Sequence, residues 1–140
     1  MDLTYNKTLP TADEYNKLRE NVGWGIMPID VVEKSFDKTL FGVSVYDNNK
    51  IIGTGRIVGD GGLCFYIQDI MVLKDFQKKG IGSKIMDMIM NYLKTNASVN
   101  SYIGLMSAKG LENFYSKYGF MKRPNENFGS GMTQKWKENI

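Results

Sequence analysis

The sequence predicts a mixed α/β chain of the α+β type. It has one central, mostly antiparallel sheet of 6–7 strands, flanked by about four helices. Three observations predict this. First, three strand-like runs at residues 41–46, 51–58 and 64–73 are separated only by the short turns 47–50 and 60–62, which makes an antiparallel meander. Second, the last of these runs passes through a glycine-containing turn into apolar residues at helical spacing: Ile81, Ile85, Met88 or Ile89, and Tyr92 or Leu93. Third, another strand-like run, 102–107, follows that helix. A strand–helix–strand passage implies a parallel crossover, so the strands before and after the helix lie side by side.

The remaining elements follow in chain order. Residues 3–7 suit a short first strand. Thr11-Ala12-Asp13-Glu14 has capping-box form and opens a helix with Tyr15, Leu18 and Val22 on its buried side. Gly23 and Gly25 break it, with Trp24 between them as either a core plug or the aromatic wall of a pocket; the plug is the favoured reading. Asp30-Val31-Val32-Glu33 is a second capping box, predicting a helix to about Thr39. Near the end, Leu111, Phe114, Tyr115 and Tyr118 share one helical face, with Gly119 as the terminating residue. Residues 120–123 and 132–136 suit a closing pair of strands, joined by the polar loop 125–131.

Composition narrows the class. A chain of 140 residues, 42% hydrophobic and 24% charged, is ordinary for one soluble domain, so residues 1–140 are expected to form a single domain. No apolar run reaches the length of a membrane span, and the N-terminus lacks the basic and apolar regions of a signal peptide. Cytoplasmic location is the default expectation. The single cysteine, Cys64, excludes an internal disulfide. With no histidine, the usual zinc sites and Ser–His–Asp or Cys–His catalysis are excluded, and no metal is expected. The net charge of +3 is spread over scattered lysines, which speaks against a nucleic-acid partner and suits an anionic small ligand.

The turn Gln77-Lys78-Lys79-Gly80-Ile81-Gly82-Ser83 carries the chemistry. The first N–H groups of a helix lack intrahelical partners and carry partial positive charge. Glycines there permit positive φ and close approach of a ligand to the backbone. The result is a seat for a phosphate or pyrophosphate. A dinucleotide loop would need a third glycine where Ile85 stands, and no P-loop string exists.

Gln77-x-x-Gly80-x-Gly82 instead resembles the acetyl-CoA signature of the GNAT superfamily of N-acetyltransferases. Phe114-Tyr115-x-x-x-Gly119-Phe120 resembles a second pattern of that family, in the expected order and spacing. The resemblance covers nearly the whole chain. It implies a GNAT fold, with strands 4 and 5 splayed to form a CoA groove and acetyl-CoA as co-substrate. It places the backbone of Ile70, Met71 and Val72 along the pantetheine arm, with an amide near Ile70 meeting the thioester oxygen. Gln77, Lys78, Lys79, Gly80, Ile81, Gly82 and Ser83 would hold the pyrophosphate. Many members carry an asparagine seven residues before the tyrosine; this chain has Ala108, and Lys109 beside it offers charge in its place.

The resemblance implies that Tyr115 is the general acid that protonates the departing thiolate. Strand alternation places Tyr66, Gln68 and Ile70 on one face and Asp69 and Met71 on the other, so a water held by Tyr66 and Gln68 would accept the amine proton. A bulge at Asp69 would make that carboxylate a base candidate instead; a structural role is the favoured reading. Arg56, a charge in mid-strand, either binds an acidic acceptor or pairs with Asp69 or Asp60. Trp24 and Arg56 are the candidate acceptor-binding residues. The expected activity is acetyl transfer from acetyl-CoA to the primary amine of a small molecule. The rivals are a non-catalytic acyl-CoA-binding or sensing domain, a protein N-acetyltransferase, and a structural or nucleic-acid-binding domain. Homodimers are common among look-alikes.

Overall fold

The computed structural model describes residues 1–137. The chain divides into two compact units, one spanning Met1–Met106 and a second beginning at Ser107.

The first unit is a five-stranded sheet with three helices. The strands are β1 (Leu3–Asn6), β2 (Phe41–Asp47), β3 (Lys50–Gly59), β4 (Cys64–Val72) and β5 (Tyr102–Leu105), and they lie side by side in that order. Every pairing is antiparallel except β4–β5, which is parallel. The meander and the crossover are therefore as the turn spacing requires. The helices are α1 (Ala12–Asn21), α2 (Ile29–Phe36) and α3 (Ile81–Asn96), with α3 supplying the crossover. The second unit holds one short helix, α4 (Glu112–Ser116), and among its described residues no strand. The closing strands expected at 120–123 and 132–136 are thus absent, and the sheet has five strands rather than 6–7. Arg123 precedes a proline, and Asn125 folds 125–128 into a turn by accepting from the amides of Asn127 and Phe128, which removes residues a ladder would need.

Helix α1 starts where its capping residues require. The Glu14 amide donates to Thr11 Oγ1 at 3.1 Å and the Thr11 amide donates to Glu14 Oε1 at 2.9 Å, a complete capping box. The box expected at Asp30 does not form. Helix α2 begins two residues earlier, with Pro28 rather than Asp30 as its N-cap, and Asp30 falls inside the first turn.

Both faces of the sheet are covered. Tyr15, Leu18 and Val32 from α1 and α2 pack with Ile51 and Met71 on one face. On the other, α3 buries Ile81, Ile85, Met86, Ile89 and Leu93. Burying side chains of this size stabilises the fold by about 1.5–3 kcal/mol each. Gly55 on β3 sets how near α3 comes: a Cβ there would lie 2.6 Å from Ile70 Cδ1 and 2.8 Å from Ile85 Cγ2.

Candidate active site

Strand β4 is the spine of the site. Its parallel ladder with β5 runs from Cys64–Tyr102 to Ile67–Leu105 and stops there. Beyond Ile67, β4 continues to Val72 with β3 beside it, Thr54 and Gly53 pairing Met71 and Val72. The sheet therefore forks, and one edge of residues 68–72 faces the opening. A strand edge of this kind offers backbone groups to an extended ligand.

The chain leaves β4 through a single 3-10 turn at Lys74–Phe76 and reaches α3 through two residues in the left-handed region, Lys78 (φ 62) and Gly80 (φ 83). Gly80 is the N-cap of α3 and supplies no side-chain cap. The Lys84 amide makes the first helical bond, to the Gly80 carbonyl at 3.1 Å. The amides of Ile81 and Gly82, ahead of it, have no intrahelical acceptor. A Cβ on Gly80 would meet nothing within 4 Å, so glycine is there for its φ and the space beside it is open. Gln77 has a bracing part: its carboxamide N–H donates to the Val72 carbonyl at 2.9 Å, tying the turn to the strand.

A bulge reshapes the middle of β4. Between the pairs Arg56–Gln68 and Thr54–Met71, one residue of β3 faces two of β4. Asp69 takes φ 61, unusual for a residue with a Cβ. The extra residue overturns the simple alternation expected from the sequence. Gln68 and Asp69 both turn toward α1 and α2, where Met71 also packs. Ile70 turns the other way, to Gly55 and Ile85 beneath α3. The side chains of Tyr66, Gln68 and Ile70 thus do not share a face.

Asp69 sits within a polar network. Arg56 Nε donates to Asp69 Oδ2 at 2.7 Å, so of its two candidate carboxylate partners Arg56 pairs with Asp69. Asp60 instead accepts from the amides of Gly62, Leu63 and Cys64 and closes the β3–β4 turn. These backbone donors hold its carboxyl below the usual range. Gln68 Nε2 approaches Asp69 Oδ1 at 3.4 Å, and Arg56 Nη1 donates to Thr39 Oγ1 at 3.1 Å. The Tyr15 hydroxyl accepts from Arg19 Nη1 at 3.3 Å. Burial pushes the Tyr15 phenol up, and the charge of Asp69 adds to it. Tyr66 is raised the same way, chiefly by burial and then by Asp69.

Above this network lies a cavity of ≈ 180 Å³. Met27, Val31, Val32 and Phe36 form its apolar side, and Arg56 and Gln68 its polar end. Trp24 is 46% exposed, so it is not a core plug. Arg19 holds its loop, donating to the carbonyls of Gly25 at 2.7 Å and Trp24 at 3.0 Å. Sequence reasoning missed Tyr15 and Arg19 as members of this site. Their i, i+4 spacing was the available signal, but Tyr15 reads equally well as plain core.

In the second unit, Tyr115 is buried, with the Phe114 ring edge-on at 5.0 Å. Burial pushes its phenol up from the ordinary value. Leu111, expected on the buried face, is 46% exposed because α4 has only five residues and starts after it. Lys109 is exposed in the loop before the helix. Among the described residues there is no group of three His, Cys, Asp or Glu side chains able to hold a metal, and no helix long and apolar enough to cross a membrane.

A forked mixed sheet, with a glycine-capped helix starting beyond its parallel pair, offers a free strand edge beside a helix N-terminus, a seat for one extended, phosphate-bearing ligand. Comparison with known proteins specifies it further. The family model for the acetyltransferase (GNAT) domain matches residues 12–134, and the chain belongs to that family. A probable acetyltransferase of unknown function from meticillin-resistant Staphylococcus aureus is 37% identical with a TM-score of 0.87, over 96% of this chain and 99% of that one. A GNAT-family acetyltransferase from Streptococcus pneumoniae shares the fold at 24% identity and TM-score 0.79, over 97% of this chain and 99% of that one. The uncharacterized N-acetyltransferase ycf52 of Gracilaria tenuistipitata var. liui is 30% identical over 127 residues, covering 88% of this chain and 68% of that protein. The protein is an N-acetyltransferase of the GNAT type.

Proposed function

We propose that the protein transfers the acetyl group of acetyl-CoA to the primary amine of a small molecule, and that residues 1–140 act as one catalytic domain. The observation that supports this best is the fork: β4 loses its parallel partner β5 after Ile67 and leads through one turn into the Gly80-capped start of α3. The donor fits these residues. An extended arm suits the free edge of residues 68–72, and a diphosphate suits the amides of Ile81 and Gly82 with Lys78 and Lys79 nearby. When bound, acetyl-CoA supplies an activated thioester.

The chain's own residues do the rest. The backbone of Ile70, Met71 and Val72 orients the arm, and an amide near Ile70 stabilises charge developing on the carbonyl oxygen. Lys78, Lys79, Gly80, Ile81, Gly82 and Ser83 hold the diphosphate, Gln77 braces their turn, and Lys109 adds charge. The acceptor nitrogen attacks the carbonyl carbon, the carbon–sulfur bond breaks, and the thiol leaves with a proton. Tyr115 is the group assigned to donate that proton, its raised pKa keeping the phenol protonated. The amine proton leaves to a water held near Gln68 and Tyr66. Asp69 is already bonded to Arg56, which favours a structural role over that of base.

The test is direct: incubate with acetyl-CoA and an amine panel, follow thiol release, and measure CoA binding by calorimetry. Thiol release with a subset of amines is expected. CoA binding with no release from any amine would turn the assignment to a sensing domain.

A further inference from the structure

The cavity over the β4 bulge carries a charge imbalance. Its lining contributes Arg19 and Arg56, and among the described residues the one carboxylate bonded to either is Asp69, on Arg56. The Arg19 guanidinium is engaged by Gly25, Trp24 and Tyr15. Arg56 is different. Its Nε serves Asp69 and its Nη1 serves Thr39, while among the described residues Nη2 has no partner. The side chain is 12% exposed and lines the cavity, with the Phe36 ring 5.4 Å from its guanidinium carbon. A guanidinium held flat on one side, with free N–H groups on the other, is a seat for a planar anion. The apolar wall of Met27, Val31, Val32 and Phe36 meets that seat, and the exposed Trp24, Ile26 and Ile29 extend the apolar surface along the loop and helix that carry the wall.

We infer that the acceptor is a primary amine bearing its own carboxylate on an apolar body, and that Arg56 binds that carboxylate. This rests on the acetyl-transfer reading above and adds the substrate class to it. A purely cationic amine would enter a cavity of net positive charge without compensation. An amine with an attached carboxylate brings the missing negative charge. The neighbouring cations also disfavour its ammonium form and so favour the neutral nucleophile. Gln68, which lines the same end of the cavity at the mouth of the fork, then lies where the amine must meet the donor.

The experiment compares leucine, leucinamide, isopentylamine and O-phosphoethanolamine as acceptors, with kcat/KM expressed per concentration of neutral amine. Leucine is expected to exceed leucinamide and isopentylamine by about tenfold or more, the low end for hydrogen bonds to a charged group. Arg56→Gln should remove that preference, Arg56→Lys should keep part of it, and CoA binding by calorimetry reports whether each variant folds. Because Arg56→Gln leaves Asp69 unpaired, the double variant Arg56→Gln/Asp69→Asn removes both charges and must also lose the preference. Equal use of leucinamide, or a preference that survives Arg56→Gln, overturns the inference and leaves acetyl transfer standing. A preference for O-phosphoethanolamine over leucine overturns the carboxylate assignment in favour of a phosphate. Absence of transfer to every amine, with CoA bound, overturns both.

Discussion

Arg56 and Asp69 meet across 2.7 Å inside the sheet, with side-chain exposures of 12% and 1%. The pair joins adjacent strands at the point where β4 carries an extra residue, and it holds that residue in the left-handed region. Removing one partner of a buried pair strands the other. Asp69→Ala is expected to destabilise the fold by about 3–5 kcal/mol, read by urea melts, whereas Arg56→Met/Asp69→Leu should recover most of that loss. A single variant within about 1 kcal/mol of the wild type would show that the pair is screened by water.

Gly55 makes a second, independent point about the same strands. A methyl group at this position collides with Ile70 and with Ile85, which is fully buried. Gly55→Ala should cost about 1–3 kcal/mol by overpacking. Thermal melts check it. A neutral result would mean that α3 can move away from the sheet at no cost.

How much of this was legible in the sequence depends on the range of the interactions involved. Helix α1 is readable because its capping box is local, a four-residue stretch whose first and last residues, Thr11 and Glu14, bond to each other. The turn into α3 is readable because only glycine tolerates φ 83 without strain. The bulge is not readable by alternation, since the φ of Asp69 is supported by an arginine 13 residues away on another strand. The cavity is hidden for the same reason: α1, α2, β3 and β4 each contribute to it, and no local pattern joins them. The missing closing strands fail differently. Residues 132–136 have the composition of a strand, but composition does not supply a partner.

The two glycines of the cradle separate strain from access. Gly80→Ala forces a Cβ into the left-handed region, costing about 1–2 kcal/mol, though no atom lies within 4 Å of it. Gly82 instead sits inside the first turn of α3, ahead of the first intrahelical bond, which Lys84 makes. Gly82→Val is expected to weaken CoA binding by at least about tenfold while lowering stability less than Gly80→Ala does. Calorimetry and thermal melts on both variants decide it, and unaltered CoA affinity in Gly82→Val would remove the cradle from the donor site.

Tyr115→Phe removes only a hydroxyl from a buried ring. If that phenol protonates the leaving thiol, kcat should fall by about 10²- to 10⁴-fold. The Kd for CoA should stay within a few-fold, since the ring remains. Equal kcat in the variant would move the general acid elsewhere.

The pH dependence follows from what the chain lacks and from the direction of one shift. No histidine is present, and Asp69 is tied to Arg56. The proton on the acceptor must therefore be lost by the acceptor's own equilibrium, and kcat/KM should rise with pH until that amine's pKa is passed. Burial raises the Tyr115 phenol above its ordinary value of 10.0, so its donating form is kept to higher pH than in a free tyrosine. Two acceptors of different basicity, one near the α-amino value of about 8 and one near the lysine value of about 10.4, should then show acid limbs displaced by about two pH units. Profiles of kcat/KM for such a pair measure the displacement. Coincident limbs for the two acceptors would mean that the protein itself supplies a titrating base.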